Sequence, residues 1–250
     1  MSSFYITLPS NSSADHFPNN SPGHFFTDLP QNIELSDQYE VGLSEIQFIN
    51  HFINLKECKV SAYNKESELE REVIIPPDSY ANTSSLNKVL NKKLLPKDNT
   101  SRDGVTFKYS HRSKLVSILL PNEVGKVVIS DNLKHALGFS TNTFEKKRKH
   151  VAENETCLQD DFRNIFVYSD IVRPRIVGDV MVPLLRTVPT DITSANDVHV
   201  IYEKPHYIPL SRFQFNTIEI LLASKTGAEI TFKKGPTVVT LHIRRKKPDY

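Results

Sequence analysis

The sequence predicts a mostly β protein, built as an antiparallel sandwich or barrel. Three observations predict it. Apolar residues recur at every second position in about a dozen short stretches. Polar turns rich in Pro, Asn, Asp and Ser cut these stretches apart. Helical spacing is confined to two segments in the middle third, which reads as an elaboration of the β framework and not as a helical domain.

The first strand carries Phe4, Ile6 and Leu8 on one face, and Pro9-Ser-Asn-Ser-Ser ends it. Phe25, Thr27 and Leu29 alternate next, followed after Pro30 by Ile33 and Leu35. In 39–49 the phase changes: Tyr39, Val41 and Leu43 share a face, and Ile46 and Phe48 continue one residue out of step. A slip at Ser44-Glu45 keeps both sets on the core only through a β-bulge or a passage to a second sheet.

Pro76-Pro77-Asp78 closes a strand at about 70–75. Asn82-Thr83 then caps a helix over 84–95, with Leu86, Val89, Leu90 and Leu94 on one face and Pro96 as its stop. Val105, Phe107 and Tyr109 face Val116, Ile118 and Leu120 across a turn at 110–113. A strand at 127–129 leads to a short helix, 132–137, capped by Asp131 and ended by Gly138 in a left-handed conformation. The polar stretch 141–162 reads as an exposed loop. Strands return at 165–168, 176–185, 198–202, 213–222 and 238–243. The reading is one domain over 1–250 with an elaborated insertion at about 78–160.

Composition narrows the function. Against 31 basic residues stand 29 acidic ones, a net charge of +2, too little for a dedicated nucleic-acid coat. Fourteen Phe and nine Tyr can anchor a sizeable core without Trp. No apolar run approaches the roughly 18 residues that span a bilayer, so no membrane partner is expected. Met1-Ser-Ser-Phe-Tyr-Ile offers no basic or long apolar leader, and Cys58 and Cys157 are expected to be reduced thiols.

Catalytic and metal-binding patterns are missing. The nine His residues form no His-x-His and no His-Glu-x-x-His. Val124-Gly-Lys126 lacks the glycines and hydroxyl of a phosphate loop, and no nucleophile elbow occurs. Asp160-Asp161 would diverge on any regular backbone, and Glu145-Lys-Lys147 has no placed acidic partner for nuclease chemistry. No catalytic residue, metal site or cofactor is assigned. Two basic runs remain: Lys146, Lys147, Arg148 and Lys149, then Arg244, Arg245, Lys246 and Lys247. Such runs can contact genome DNA or serve nuclear import. Without interleaved aromatics they also read plainly as a solvated loop and a strand end.

Several ordered segments resemble the minor capsid (penton) proteins of Polinton/Maverick elements and adintoviruses. They are Phe4-Tyr-Ile-Thr-Leu-Pro-Ser-Asn11, Tyr39-Glu-Val-Gly-Leu-Ser-Glu-Ile-Gln-Phe48, Leu137-Gly-Phe139 and the stretch 167–186 beginning Val-Tyr-Ser-Asp. Near the end, Lys204-Pro-His-Tyr-Ile-Pro209, Phe215-Asn-Thr-Ile-Glu-Ile220 and Val238-Val-Thr-Leu-His-Ile-Arg-Arg245 continue the resemblance, which spans nearly the whole chain. It implies a single jelly roll, a homopentamer at a capsid vertex, and a double jelly-roll major capsid protein as partner. The implied location is the virion, assembled in a host cell, with the nucleus among the candidate compartments. Residues alone leave two other classes open. One is a β-sandwich ligand- or receptor-binding module; the other is a jelly-roll metalloenzyme, for which His199 and His242 lie in strands 43 positions apart.

Overall fold

The computed structural model describes residues 3–36, 38–66, 68–94, 104–145, 148–158, 162–190 and 197–246. They form two compact units: Met1–Phe52 with Asp161–Tyr250, and Ile53–Asp160.

The chain opens the first unit with β1 (Ser3–Pro9), β2 (His24–Glu34) and β3 (Tyr39–Ile49). It then builds the second unit from β4 (Cys58–Asn64), β5 (Leu69–Ile75), α1 (Thr83–Leu94), β6 (Thr106–Tyr109) and β7 (Val116–Leu119). That unit is completed by β8 (Val124–Ile129), α2 (Asp131–Leu137), β9 (Thr143–Glu145) and β10 (Lys149–Val151). Back in the first unit follow β11 (Asn164–Ser169), β12 (Arg175–Val177), β13 (Val180–Val182) and β14 (Leu184–Pro189). The chain ends with β15 (Asp197–Ile201), β16 (Ile208–Pro209), β17 (Gln214–Ala223) and β18 (Val238–Arg245).

The first unit is a jelly roll. One sheet has the order β1-β18-β3-β15, with β16 also on β3; the facing sheet has the order β14-β11-β17-β2. The chain alternates between the sheets through β1, β2, β3 and β11, turns back on itself into β14, and alternates again through β15, β17 and β18. Eight strands in two antiparallel four-stranded sheets with these crossovers define the architecture. The core draws alternate residues from both sheets, among them Leu8, Phe25, Leu43, Phe48, Val167, Leu222 and Leu241. The second unit is inserted in sequence between β3 and β11.

Ser44 is the bulge that the phase change in 39–49 predicts. Along β18, Thr240 pairs with Glu45 while Leu241 pairs with Leu43, so Ser44 is skipped. Tyr39, Val41 and Leu43 before it, and Ile46 and Phe48 after it, are thereby all buried in one core, and β3 stays in a single sheet. Pro30 lies inside β2, which tolerates it because β2 is an edge strand with no partner on one side among the described residues.

The second unit has the sheets β5-β4-β8-β9 and β10-β7-β6. Its core holds Leu86, Leu90 and Leu94 of α1 together with Phe107, Ile118, Val127 and Phe144. Asn82 caps α1, its Oδ1 accepting the Ser85 backbone N–H at 2.9 Å.

The second unit runs from Ile53, with β4 pairing with both β5 and β8. Three sequence expectations are corrected. The 141–162 stretch contains two short strands, β9 on β8 and β10 on β7, held by the buried Phe144. Ser130, not Asp131, is the N-cap of α2; Asp131 lies in the first turn and pairs with Lys134 at 3.0 Å. The 176–185 stretch is not one strand: it turns at Gly178-Asp179 and breaks again at Pro183.

Candidate functional site

Three features of the first unit offer chemistry at its surface. The first is the hairpin of β12 and β13. Val177-Gly-Asp-Val180 is a two-residue turn signal between β-branched residues, and Gly178 takes φ +64° at the tip, where a Cβ would meet nothing within 4 Å. Ile176 pairs with Met181 on one face and Val177 with Val180 on the other. Ile176 is 76% exposed, Met181 62% and Val180 52%. Among the described residues, the hairpin pairs with no third strand. Two strands alone are marginal in water; here Ile176 and Met181 make one face apolar, and Arg175 shares the other with Val177, Val180 and Val182. Covering Ile176 and Met181 would contribute roughly 1.5–3 kcal/mol each.

The second feature is an aromatic and charged tier on the outward face of the β1-β18-β3 sheet. Inward positions of β18 are Val239, Leu241 and Ile243; the intervening His242 and Arg244 point out. Tyr5 of β1 stacks on His242 with centroids 4.4 Å apart and planes within 12°. The Tyr207 hydroxyl lies 2.7 Å from His242 Nδ1. The Arg244 guanidinium lies over the Tyr207 ring and donates to Glu40. Gly42 makes room for this arrangement: a Cβ there would lie 2.8 Å from Pro205 Cβ and 2.9 Å from the His206 carbonyl. Burial, aided by the Arg244 charge, holds His242 below the usual imidazole range, which favours the neutral ring beside the Tyr207 hydroxyl. Burial also raises the Tyr207 hydroxyl.

The third feature is a cavity of about 290 Å³ on the outward face of the other sheet, walled by Tyr168, Asp170, Pro183, Glu219 and Leu221. Asp170 accepts the Glu219 backbone N–H at 2.9 Å and a guanidinium N–H of Arg212. Burial outweighs both and raises its pKa.

The two basic runs are placed differently from one another. Lys146, Lys147 and Lys247 lie outside the described residues. Arg148 lines a cavity of about 270 Å³ with Lys65, and Lys149 opens β10 opposite Leu119. Arg244 is committed to Glu40 and Tyr207, whereas Arg245 and Lys246 are exposed. One run belongs to each unit. His199 faces Glu45 of β3 and His242 faces the tyrosines, so these two rings have separate partners. Among the described residues, no three His, Cys, Asp or Glu side chains converge to hold a metal ion, and no helix is long and apolar enough to cross a membrane.

Of the hairpin, the tier and the Asp170 cavity, the sequence had singled out only His242 and Arg244 of the tier, and for other roles. Val-Gly-Asp-Val was a usable signal for the hairpin. The tier and the cavity join distant segments and left no local trace.

No family model and no curated protein matches the sequence. Among solved structures, the chain is similar to the crystal structure of the mavirus penton protein, at 12% identity and a TM-score of 0.50, over 98% of this chain and 99% of that one. It is also similar to a chain in the 3.5 Å cryo-EM structure of the Sputnik virophage, at 11% identity and a TM-score of 0.47, over 98% of each. The chain shares the fold of the mavirus penton protein along nearly its whole length.

Proposed function

We propose that this protein is a structural penton, a minor capsid protein whose five copies close the vertices of an icosahedral particle of a Polinton- or adintovirus-type element. A double jelly-roll major capsid protein surrounds it, and residues 53–160 are an elaboration carried between β3 and β11. One observation carries the reading: the end-to-end likeness in fold to the mavirus penton protein. The apolar hairpin and the open sheet edges support it, since subunits around a ring can cover both. The protein works by shape and contact, not by reaction, and its place is the virion. Size-exclusion chromatography with light scattering, and electron microscopy of the protein alone and mixed with the element's major capsid protein, test this. Five-membered rings or occupied vertices are expected. A protein that stays monomeric in both settings defeats the reading.

A further inference from the structure

The cavity beside Asp170 is built for a positive charge on an apolar stem. Two carboxylates, Asp170 and Glu219, line it, and among the described residues no basic side chain does. Arg212 meets Asp170 and also donates to the Thr217 carbonyl at 2.7 Å, so its guanidinium is shared between a carboxylate and a backbone oxygen. Glu219 Oε1 is 2.7 Å from His24 Nε2, and its second oxygen has no hydrogen-bond partner among the described residues. Tyr168, Pro183 and Leu221 supply an apolar wall for an aliphatic stem. About 290 Å³ is near the lower limit for small-molecule pockets, which suits a single long side chain.

We infer that this cavity receives a basic side chain from a second copy of this chain, supplied by the end of β18. Charge complementarity selects that occupant. Arg245 and Lys246 are exposed, and Arg245 has no hydrogen bond or ion pair from its side chain among the described residues. β18 belongs to the sheet facing the one that carries the cavity. Donor and acceptor are therefore different patches of one subunit, which a head-to-tail contact closing into a ring requires. The base of the hairpin borders the cavity through Val182 and Pro183, so one neighbour can cover the apolar hairpin and fill the acidic cavity together. This inference rests on the penton reading and gives the ring a named contact.

Charge reversal tests it in the full chain. Glu219→Lys and the pair Arg245→Glu, Lys246→Glu should each raise the dissociation constant of the ring at least tenfold, measured by sedimentation, with thermal melts confirming the fold. Combining all three substitutions restores opposite charge at position 219, with Asp170 still paired to Arg212, and should recover assembly in part. A second measurement is independent of assembly: titration with Nα-acetyl-L-arginine methylamide, followed by NMR of the Leu221 and Val182 methyls. Saturable shifts are expected with this probe, none with its uncharged citrulline analogue, and none in Glu219→Lys. Equal response to both probes, or no response, overturns the cavity as a cation site. Specific probe binding with rings unchanged by either reversal overturns the second copy as occupant and leaves the penton reading standing. Specific probe binding by an unaltered chain that forms neither ring nor vertex removes the penton reading, and the second-copy contact with it.

Discussion

Arg244 Nε donates to Glu40 Oε1 at 2.8 Å while its guanidinium carbon lies 3.3 Å from the centre of the Tyr207 ring. One planar cation thus joins β18, β3 and the segment that crosses Gly42. The Arg244 and Glu40 side chains are 25% and 15% exposed, so solvent screens the pair only in part. Arg244→Ala should lower stability by about 2 kcal/mol, the range for hydrogen bonds to charged groups with added stacking. Arg244→Lys keeps the charge but loses the flat donor face, and its urea midpoint should fall nearer to the alanine variant than to the parent. A lysine variant indistinguishable from the parent would mean that charge alone matters there.

His242, beneath this pair, makes stability depend on pH. Its folded pKa lies below the ordinary imidazole value, through burial first and Arg244 second. The unfolded chain therefore binds the proton more readily as pH falls, and stability drops with pH across that window. The contribution of the neutral ring is complete above roughly pH 6.5 and is lost below it, toward the folded-state value. His242→Asn keeps an acceptor for the Tyr207 hydroxyl but cannot titrate. Unfolding free energies between pH 7.5 and 5 should therefore fall less steeply in this variant than in the parent. Parallel curves would show that His242 does not titrate with folding.

Gly138 is fixed by two constraints at once. It ends α2 with φ +80°, a conformation in which side chains are strained, and a Cβ would lie 2.2 Å from the Asn154 carbonyl oxygen. Gly138→Ala should cost about 2–4 kcal/mol, adding overpacking to the left-handed penalty. Gly178 has a similar φ, +64°, but no neighbour within 4 Å, so Gly178→Ala should cost only about 1 kcal/mol. Thermal denaturation of the two variants separates close packing from backbone conformation.

Local patterns explain how much of this was readable in advance. The slip between Leu43 and Ile46 announced the Ser44 bulge because both apolar sets had to reach one core. Leu86, Leu90 and Leu94 announced α1 in the same way. Strand pairing is not written locally: β1 meets β18 from the opposite end of the chain, and the jelly-roll order rests on such contacts. β9 and β10 were hidden because three residues carry too little periodicity. At 176–185 the β-branched Ile176, Val177, Val180 and Val182 suggested one strand and masked the turn at Gly178-Asp179 and the break at Pro183. Asp170 and Glu219 stand 49 positions apart, and only the sheet brings them together.

The exposed hairpin makes the sharpest separation between folding and assembly. Ile176 and Met181 face each other across β12 and β13 and project into solvent, so polar replacements remove little packing within the subunit. Ile176→Asp with Met181→Glu should change unfolding free energy by no more than about 0.5 kcal/mol, as at other exposed sites. If subunits bury this surface, the same change forfeits two apolar contacts and places carboxylates in the interface. Ring or vertex assembly should then weaken by at least about a hundredfold, from roughly 3 kcal/mol of lost burial. Sedimentation of the purified variant, and its incorporation with the major capsid protein, provide the measure. Normal assembly with normal stability would place the contact surface elsewhere on the jelly roll; loss of both together would show that the hairpin belongs to the subunit's own core.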